Sequence, residues 1–412
     1  MDKIKLGIIG LGQRGSGLLN EITQMDDIEI YAVCDSYKDR TEDAFKVIKE
    51  KCGNEPVMTQ DYRDILKMPE IKAVLISAAW EAHADLAIAS MRAGKWTALE
   101  VGGAYDISDC HKLVDTYEET KTPFMFLENC CYGRRELMCL KMAKSGVFGE
   151  IVHCDGAYMH DLREEVSSGA ERRHYRLQNY IHRNCENYPT HELGPIAKLL
   201  NINNGNRMLS LASFASKSAG LHDYVLDKLG SDDSLAAVDF RQGDVITTII
   251  KCAGGETILL SLNTTLPHPY SRNFNVHGTH AYYAENNDSI FFNGDEGEGD
   301  WKPNWGNADK LSEQYDHPLW KEYLNDGVHS GHGGMDWLVL RAFFESVKEN
   351  KLPPINVYDA AAWMSISALS EQSIALGGAP VPIPDFTRGK WIRGISYPQV
   401  EKYRLDAIPE IE

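Results

Sequence analysis

Short apolar runs alternate with longer amphipathic segments through the first third of the chain. The apolar runs cover 5–9, 28–34, 73–77, 96–99 and 124–127. Apolar residues recur at helical spacing at Leu18, Leu19, Ile22 and Met25, and helices are also predicted over 36–51, 84–93 and 108–120. The segment 57–66 predicts a further short strand or turn. Continuous apolar runs are typical of strands buried on both faces. Their alternation with helices predicts an α/β fold with a doubly wound parallel sheet.

Beyond about residue 150 the pattern changes to strands without helices between most of them. The predicted strands cover 151–158, 208–215, 245–252, 257–263 and 273–278, and two late helices cover 335–349 and 360–376. This pattern predicts an α+β domain with a large open, mostly antiparallel sheet. We expect a first domain of residues 1–128 and a second of 129–412, with the C-terminal helices packing back on the first. The charged connection 162–187 is predicted to be a loop over a site.

The first apolar run ends in closely spaced glycines, Gly10, Gly12 and Gly15. In a strand–turn–helix unit of this kind, Gly10 permits the tight turn, Gly12 lets the backbone approach a pyrophosphate, and Gly15 lets the helix pack closely on the strand. The helix N-terminus then offers its N–H groups to the phosphates. Asp35 follows Gly15 by about 20 residues, where a carboxylate binds a ribose 2′-hydroxyl and repels a 2′-phosphate. These features predict a Rossmann domain that binds NAD rather than NADP; a glycine turn with a solvated aspartate is the alternative.

Polar and aromatic residues follow the later strands of the same domain. They are Trp80, His83, Glu100, Glu128 and Asn129. Ligands of doubly wound sheets bind beyond the carboxyl ends of the strands. Each of these residues alone is compatible with an ordinary loop, but together they predict one crevice.

The densest polar segment of the second half is 187–195, with His191 at the start of a predicted helix. A histidine beside a crevice can take a proton from a hydroxyl group as hydride leaves the same carbon. A capping or structural role is the alternative for His191. His329 and His332 lie close in sequence without a third ligand at suitable spacing, so no metal site is predicted.

Composition narrows the class of protein. The 412 residues carry a formal net charge of −18 without a dense run of Lys or Arg, which argues against a nucleic-acid partner. Nine cysteines without C-x-x-C spacing favour a reducing compartment. The sequence has no uncharged apolar run of membrane length, and its first residues lead directly into a strand. We therefore expect a cytoplasmic protein with no membrane partner; a trimmed export signal is the alternative.

Several motifs resemble those of one enzyme family over essentially the whole chain. They are the glycine loop, Trp80 with His83, Glu100-Val101, Leu127-Glu128-Asn129, Tyr158-x-His160-Asp161-Leu162-Arg163, Tyr188-Pro189-Thr190-His191, Pro269-Tyr270-Ser271-Arg272, His332-Gly333-Gly334-Met335-Asp336 and Asp385-Phe386-Thr387-Arg388-Gly389-Lys390-Trp391. The chain resembles the Gfo/Idh/MocA oxidoreductase superfamily and, within it, glycoside hydrolase family 109, the NAD-dependent N-acetylgalactosaminidases.

The resemblance implies roles for the matching residues. It implies catalytic roles for His191 at the C3 hydroxyl of a sugar, for Tyr158 at C2, and for Glu128 in support of the reacting groups. The implied substrate contacts are Tyr158, Arg176, Tyr188, His191 and Tyr270. The implied cofactor contacts are Arg14, Trp80, His83, Glu100, Val101 and Asn129, beside Gly10, Gly12, Gly15 and Asp35. A core aromatic with a satisfied hydroxyl is the alternative for each tyrosine.

The implied reaction cleaves a glycoside without net oxidation. The sugar is oxidised at C3, loses its C2 proton to a base, eliminates the C1 leaving group, gains water at C1 and is reduced again at C3, so that NAD is used catalytically. NAD-dependent glycosidases are an exception to the two-carboxylate scheme. The lack of an obvious carboxylate pair is therefore no objection.

Two departures from family patterns bear on function. Sugar dehydrogenases of this fold resemble each other in a Glu-Lys-Pro at the fourth strand end, where this chain has Glu100-Val101-Gly102. The missing lysine, which helps move the proton during hydride transfer, counts against a plain dehydrogenase. Glu192 stands where the glycosidase pattern has a small residue, which bears on substrate specificity.

The motifs are compatible with three functions. The first is an NAD-dependent glycosidase that cleaves terminal N-acetylgalactosamine or a related hexoside. The alternative is an NAD-dependent sugar or cyclitol dehydrogenase of the same superfamily. The third is a dinucleotide-binding sensor without turnover, against which His191 and Tyr158 argue because a sensor needs no acid/base pair. The open sheet would offer an apolar face, which predicts a homo-oligomer. The expected substrate is a small-molecule glycoside.

Overall fold

The computed structural model describes residues 3–295, 305–329, 331–395 and 399–406, which form two compact units. The first comprises Met1–Tyr132, Glu322–Ala361 and Ser396–Ala407, and the second comprises Gly133–Lys321, Ala362–Ile395 and Ile408–Glu412, in each case as far as the residues are described. The first unit therefore runs a few residues past the predicted border at 128 and takes in two later segments.

The first unit is built on a parallel six-stranded sheet with strand order β3-β2-β1-β4-β5-β6. Its strands are β1 (Ile4–Ile9), β2 (Ile28–Cys34), β3 (Val57–Thr59), β4 (Ala73–Ile76), β5 (Trp96–Leu99) and β6 (Phe124–Phe126). Strands β4, β5 and β6 are buried over their whole length, as expected for strands covered on both faces. The predicted doubly wound parallel sheet is confirmed.

The central strands of this sheet end at one level. Ile9 pairs with Cys34 on one side and with Ile76 on the other. Ile76 pairs in turn with Leu99, and Leu99 with Phe126. The residues that follow these strands therefore share one edge of the sheet, which is where doubly wound sheets bind their ligands.

Helices connect the strands of the first sheet. They are α1 (Gln13–Ile22), α2 (Lys38–Cys52), α3 (Tyr62–Lys67), α4 (Trp80–Arg92) and α5 (Ile107–Thr120). Helix α4 begins earlier than predicted because the turn after β4 is short, so Trp80 and His83 lie in its first turn rather than in a loop. The segment 57–66 contains both strand β3 and the start of α3, which is capped by the Asp61 carboxylate.

The second unit is built on an eight-stranded mixed sheet with strand order β13-β12-β11-β7-β10-β9-β8-β14. Its strands are β7 (Ile151–Met159), β8 (Met208–Ala215), β9 (Val245–Cys252), β10 (Thr257–Asn263), β11 (Asn275–Gly278), β12 (Ala281–Ala284), β13 (Ser289–Phe292) and β14 (Val381–Pro382). Strands β7 and β10 run parallel, and the other neighbours run antiparallel. The predicted mostly antiparallel sheet is confirmed.

The remaining helices follow β6. They are α6 (Arg134–Lys144), α7 (Arg163–Ser167), α8 (Arg176–His182), α9 (Thr190–Leu199), α10 (Gly220–Lys228), α11 (Ala308–Tyr315), α12 (Pro318–Asp326), α13 (Met335–Glu349) and α14 (Val357–Ala375). Within the described ranges, none of the helices is both long and apolar enough to cross a lipid bilayer.

The prediction that 162–187 forms a loop over a site is wrong. The segment contains helices α7 and α8, and Leu177, Tyr180 and Cys185 are buried in the second unit. Both helices are too short for their periodicity to stand out in a charged sequence. The segment therefore forms helices that contribute side chains to the core, rather than a covering loop.

Alternate residues of the large sheet face opposite sides. On β9, Ile246 and Ile250 are buried, whereas Ile249 between them is exposed. On β7, Gly156 packs so closely on helix α9 that an added Cβ would lie 2.8 Å from the Cβ of Glu192. His153 and Asp155 are one residue out of phase with Gly156 and Tyr158, so they lie on the open face of the sheet.

Candidate active site

The turn between β1 and α1 brings the backbone close to β4. Gly10 has a φ of +94°, a left-handed conformation that favours glycine. At Gly15, an added Cβ would lie 2.1 Å from the carbonyl oxygen of Gly10 and 2.7 Å from Ser77 Oγ. Ser77 Oγ also donates a hydrogen bond to that carbonyl oxygen at 2.8 Å. Helix α1 can therefore approach β1 this closely only with glycine at position 15.

Gly12 is the N-cap of α1 and leaves its surroundings open. Among the described residues, a Cβ built at Gly12 would meet only the guanidinium of Arg40, at 3.6 Å. The first N–H groups of a helix have no partner inside the helix, and the helix dipole adds a partial positive charge there. This combination fits the pyrophosphate of a dinucleotide.

Asp35 follows β2 at the same edge of the sheet. Its Oδ2 accepts a hydrogen bond from the Leu11 N–H at 2.7 Å, and its Oδ1 accepts one from the Tyr37 N–H at 2.9 Å. The buried carboxylate lies 3.7 Å from Nη1 of Arg40. Each carboxylate oxygen has a second lone pair, so the orientation is compatible with the predicted ribose contact.

Arg14 and Asn129 are joined through Asp336, and Arg14 also binds Glu100. Arg14 donates to Glu100 Oε1 at 2.9 Å and to both oxygens of Asp336, at 2.6 and 2.8 Å. Asn129 Nδ2 donates to Asp336 Oδ1 at 2.7 Å, and His332 Nδ1 lies 2.7 Å from Oδ2. Burial alone would raise the pKa of Asp336, but Arg14 and His332 hold that pKa well below its ordinary value. The charged carboxylate thus holds Arg14 and Asn129 together, and Arg14 in turn holds Glu100.

Trp80 and His83 lie in the first turn of α4. The indole of Trp80 packs on Gly102, where an added Cβ would lie 2.5 Å from the indole Cδ1. His83 Nε2 is hydrogen-bonded to the carbonyl oxygen of Ala78 at 2.9 Å, and Nδ1 has no hydrogen-bond partner among the described residues. Burial lowers the pKa of His83 to about 4. The ring is therefore neutral and donates to the turn after β4.

The backbone also fixes the carboxylates that follow β5 and β6. The Val101 N–H donates to Glu100 Oε2 at 2.9 Å. The Cys130 N–H donates to Glu128 Oε1 at 3.0 Å, and the side chain of Glu128 is buried. Both predicted site carboxylates are therefore held at the edge where the strands end.

The predicted substrate residues form one cluster in the second unit. The centroid of the Tyr158 ring lies 4.4 Å from that of Tyr188, 5.8 Å from that of His191 and 6.4 Å from that of Tyr270. Tyr188 Oη lies 3.3 Å from His191 Nε2. The guanidinium of Arg176 lies 5.0 Å from the centroid of the Tyr188 ring. The structure therefore brings these five residues together, while their contacts to substrate stay predictions.

Several elements of the second unit position this cluster. Tyr158 belongs to β7, Arg176 begins α8, and His191 lies in the first turn of α9. Tyr188 is buried just before α9, whereas Tyr270 follows β10 and is half exposed. The cluster is thus built on a sheet and two helices, with one side open at Tyr270.

Charge and burial set the protonation states in this cluster. Burial raises the pKa of Tyr158 to about 12, although the charge of Arg176 opposes the shift. His160 Nε2 lies 2.9 Å from Tyr158 Oη. Burial and the charge of Arg176 lower the pKa of His160 to about 4. At neutral pH the cluster therefore combines the phenol of Tyr158, the neutral imidazole of His160 and the guanidinium of Arg176. Glu165 forms an ion pair with this guanidinium at 2.9 Å. This set can move protons at a hydroxyl group and stabilise a developing negative charge.

Two glutamates near His191 in the sequence are buried. Neither oxygen of Glu186 accepts a hydrogen bond from a side chain in the described part of the chain, and its N–H donates to Ser370 Oγ at 2.8 Å. Burial raises the pKa of Glu186 to about 8, so its carboxyl is mainly protonated at neutral pH. Glu192, the departure noted in the sequence, lies on α9 against Gly156 of the sheet.

Three residues of the site, Asp336, His160 and Glu165, were not predicted to have a role. Asp336 and His160 stand in motifs that carry the family resemblance, which is the signal that could have found them. The contact between Arg14 and Asp336 spans 322 positions of the chain, so no local spacing indicates it. Glu165 lies in a segment that was predicted to be a loop.

Known proteins match both parts of the chain. Residues 132–393 match the family model of the glycosyl hydrolase 109 C-terminal domain, and residues 4–127 match that of the oxidoreductase family with an NAD-binding Rossmann fold. The alpha-N-acetylgalactosaminidase of Tannerella forsythia is 38% identical over 413 residues, covering 94% of this chain and 87% of that protein. A glycosyl hydrolase family 109 protein of Stenotrophomonas maltophilia (strain K279a) is 38% identical over 415 residues, covering 94% of this chain and 90% of that protein.

Solved structures show the same architecture. Levoglucosan dehydrogenase in complex with NADH and levoglucosan has a TM-score of 0.68 at 18% identity, covering 93% of this chain and 100% of that chain. Myo-inositol 2-dehydrogenase from Lactobacillus plantarum has a TM-score of 0.66 at 15% identity, with the same coverage. At these identities the likeness concerns the fold.

Proposed function

The chain belongs to glycosyl hydrolase family 109, and from this membership we propose that it is an NAD-dependent glycosidase that cleaves terminal N-acetylgalactosamine or a related hexoside. The observation that carries the proposal is the cluster of Tyr158, His191 and Arg176. This cluster of acid/base groups lies in a chain whose first unit has the NAD-binding fold.

The first unit supplies the cofactor site in this proposal. Gly12 and the N-terminus of α1 receive the pyrophosphate, and Asp35 binds the adenosine ribose. Arg14, with Glu100 and Asn129 around Asp336, completes the same edge of the sheet together with Trp80, His83 and Val101. Bound NAD supplies a reversible two-electron oxidation at C3 of the sugar.

His191 and Tyr158 perform the proton transfers. His191 takes the proton of the C3 hydroxyl as C3 is oxidised, and it returns the proton when C3 is reduced. Tyr158 removes the C2 proton, which the C3 ketone has made acidic, so that the C1 leaving group can depart. Burial raises the pKa of Tyr158 to about 12 even though the positive charge of Arg176 opposes the shift and favours the phenolate.

The other residues bind or support the reacting groups. Arg176, Tyr188 and Tyr270 contact the sugar, and Glu128 supports the groups that react. Water then adds at C1, and the sugar leaves at its original oxidation level. Val101 stands where the related dehydrogenases carry a lysine, which supports the glycosidase over a sugar or cyclitol dehydrogenase.

The test follows two signals in one assay. The purified protein is incubated with p-nitrophenyl N-acetylgalactosaminides of both anomers, and nitrophenol absorbance is recorded together with NADH fluorescence. We expect nitrophenol release without accumulation of NADH. The variants His191→Ala and Tyr158→Phe should lose this activity by at least about a hundredfold.

Matched control variants separate loss of chemistry from loss of structure. His111→Ala and Tyr105→Phe change exposed residues of the same types in the first unit, and they should keep full activity. Silence on both glycosides with NADH accumulating on free sugars would contradict the glycosidase and favour the dehydrogenase. NAD binding without either signal would favour a sensor.

The assembly and compartment are also part of the proposal. On the open face of the large sheet, strands β8 and β9 carry exposed apolar side chains such as Phe214 and Ile249, which supports a homo-oligomer formed through that part of the face. All nine cysteines are free, and eight of them are buried. This supports a cytoplasmic location, because reduced thiols persist there.

A further inference from the structure

Two histidines and an aspartate converge on the open face of the large sheet, on the opposite side from Tyr158. His153 and Asp155 lie on β7, and His277 lies beside His153 on the neighbouring strand β11. Asp155 Oδ1 is 3.1 Å from His153 Nε2, and Asp155 Oδ2 is 2.9 Å from His277 Nε2. One ligand atom from each residue lies within 4.8 Å of the others.

From this geometry we propose that His153, Asp155 and His277 form a zinc-binding site. Four ligands around Zn²⁺ at about 2.0–2.2 Å lie about 3.3 Å from one another in a tetrahedron. The two contacts of Asp155, at 3.1 and 2.9 Å, already have nearly this length. The three side chains can therefore surround an ion with small movements, and a water molecule can take the fourth position.

The donor set selects the class of ion. Two imidazoles and one carboxylate suit Zn²⁺, whereas Mg²⁺ and Ca²⁺ prefer oxygen ligands alone. The thiols of the nine cysteines are not part of the cluster, so the site differs from a cysteine-rich zinc site. A hydrogen-bonded trio without an ion is the competing interpretation, since Asp155 can accept hydrogen bonds from both rings.

The residues around the cluster favour a zinc site over a hydrogen-bonded trio without an ion. His153 Nδ1 lies 2.7 Å from Oγ1 of Thr257 on β10, which fixes the ring and leaves Nε2 directed at the cluster. Zinc-bound histidines commonly have such a partner on the second ring nitrogen. The side chains of His153, Asp155 and His277 are 27%, 17% and 39% exposed, so an ion can enter from solvent and keep a bound water.

The site has a structural consequence that the NAD-dependent reaction does not require. Its ligands come from two paired strands, and Thr257 adds a third strand. Bound zinc would therefore tie β11 to β7 at the open face, and the thermal midpoint of the full chain should rise when zinc is added.

The test uses the full chain, freed of metal with a chelator at pH 7.5. Calorimetric titration with zinc chloride should give one ion per chain, and His153→Gln, Asp155→Asn and His277→Gln should each weaken binding at least about tenfold. Thr257→Val keeps all three ligands and should weaken binding by a smaller factor. His111→Gln, which changes an exposed histidine of helix α5, should bind zinc like the parent.

Cobalt substitution reports the ligands directly. The Co²⁺ protein should show visible bands of a tetrahedral site with nitrogen and oxygen ligands, without a thiolate-to-cobalt charge-transfer band. Absence of stoichiometric zinc binding in the parent would overturn the proposal. Parent-like binding by His277→Gln, or a thiolate band that persists in the variants, would also overturn it. Circular dichroism checks that the variants are folded, and the half-exposed His277 is the position where substitution disturbs the core least.

Discussion

The guanidinium of Arg14 and the carboxylate of Asp336 meet edge to edge, with Nη1 2.6 Å from Oδ2 and Nη2 2.8 Å from Oδ1. Asp336 is the acceptor that also holds Asn129. The orientation of two predicted cofactor residues therefore depends on a carboxylate far away in the sequence.

Asp336→Asn should weaken NAD binding at least about tenfold, because charge-assisted hydrogen bonds contribute about 1.5–3 kcal/mol each. The measurement is an equilibrium titration of the protein with NAD⁺, followed by a thermal melt with and without the cofactor. Asp115→Asn, on the exposed side of helix α5, is the control and should bind NAD⁺ normally. Parent-like affinity in Asp336→Asn would show that the network is not needed for cofactor binding.

Substitutions at two glycines should separate folding from cofactor binding. Gly15→Ala places a methyl group 2.1 Å from a backbone oxygen, so it should lower the free energy of unfolding by about 1–3 kcal/mol or more. Gly12→Ala meets the Arg40 guanidinium at an ordinary contact distance of 3.6 Å, and as a change of the N-cap residue it should lower the free energy of unfolding by no more than about 1 kcal/mol. It should nevertheless weaken NAD⁺ binding, because the methyl group occupies the approach of the pyrophosphate. Urea unfolding and NAD⁺ titration of both variants check this; equal stability losses would contradict it.

His160→Gln should reduce kcat for an N-acetylgalactosaminide by about 10- to 100-fold, with little change in KM. The physical reason is that the neutral ring orients the hydroxyl of Tyr158 at 2.9 Å, a contact that matters for proton transfer more than for binding. Steady-state kinetics over pH 5–9 is the measurement, with His111→Gln as the control. A rise in KM at constant kcat would instead assign His160 to substrate binding.

Glu186→Gln should flatten the dependence of stability on pH. The pKa of Glu186 is about 8 in the folded chain against an ordinary value of 4.5, so the native state keeps a proton that the unfolded chain releases. The stabilising contribution is full below about pH 4.5 and is lost as pH rises towards 8, by roughly 1.4 kcal/mol per pH unit. Urea unfolding of the parent and the variant at several values from pH 5 to 8 tests this.

The exposed Glu171 provides the matched control, since Glu171→Gln should leave that slope unchanged. An unchanged slope in Glu186→Gln would show that another group carries the effect.

The sequence was most informative where burial was complete. Strand β5 has the predicted bounds, because residues buried on both faces form continuous apolar runs between turns. Strand β2 also has the predicted bounds, although its Glu29 and Tyr31 are only partly buried. The glycine turn and Asp35 were predicted from local spacing alone. For the long strands of the second sheet, such as β9, the alternation of apolar and polar residues also predicted the strand correctly.

Prediction failed where contacts join distant residues or where elements are short. Helices α7 and α8 have five and seven residues, too few for a periodic pattern. Asp336 and His277 acquire their partners through tertiary contacts, to Arg14 and to Asp155, that no spacing encodes. The role of Glu165 depends on a helix that was itself missed.

The alternation of side chains along β7 limits how its sequence can change in length. Tyr158 lies on the face that packs against α9, and Asp155, an odd number of positions earlier, lies on the open face. Loss or gain of a single residue between them would move every later side chain of the strand to the opposite face of the sheet. Natural insertions and deletions in this stretch are therefore expected in pairs, or accompanied by a bulge that restores the phase.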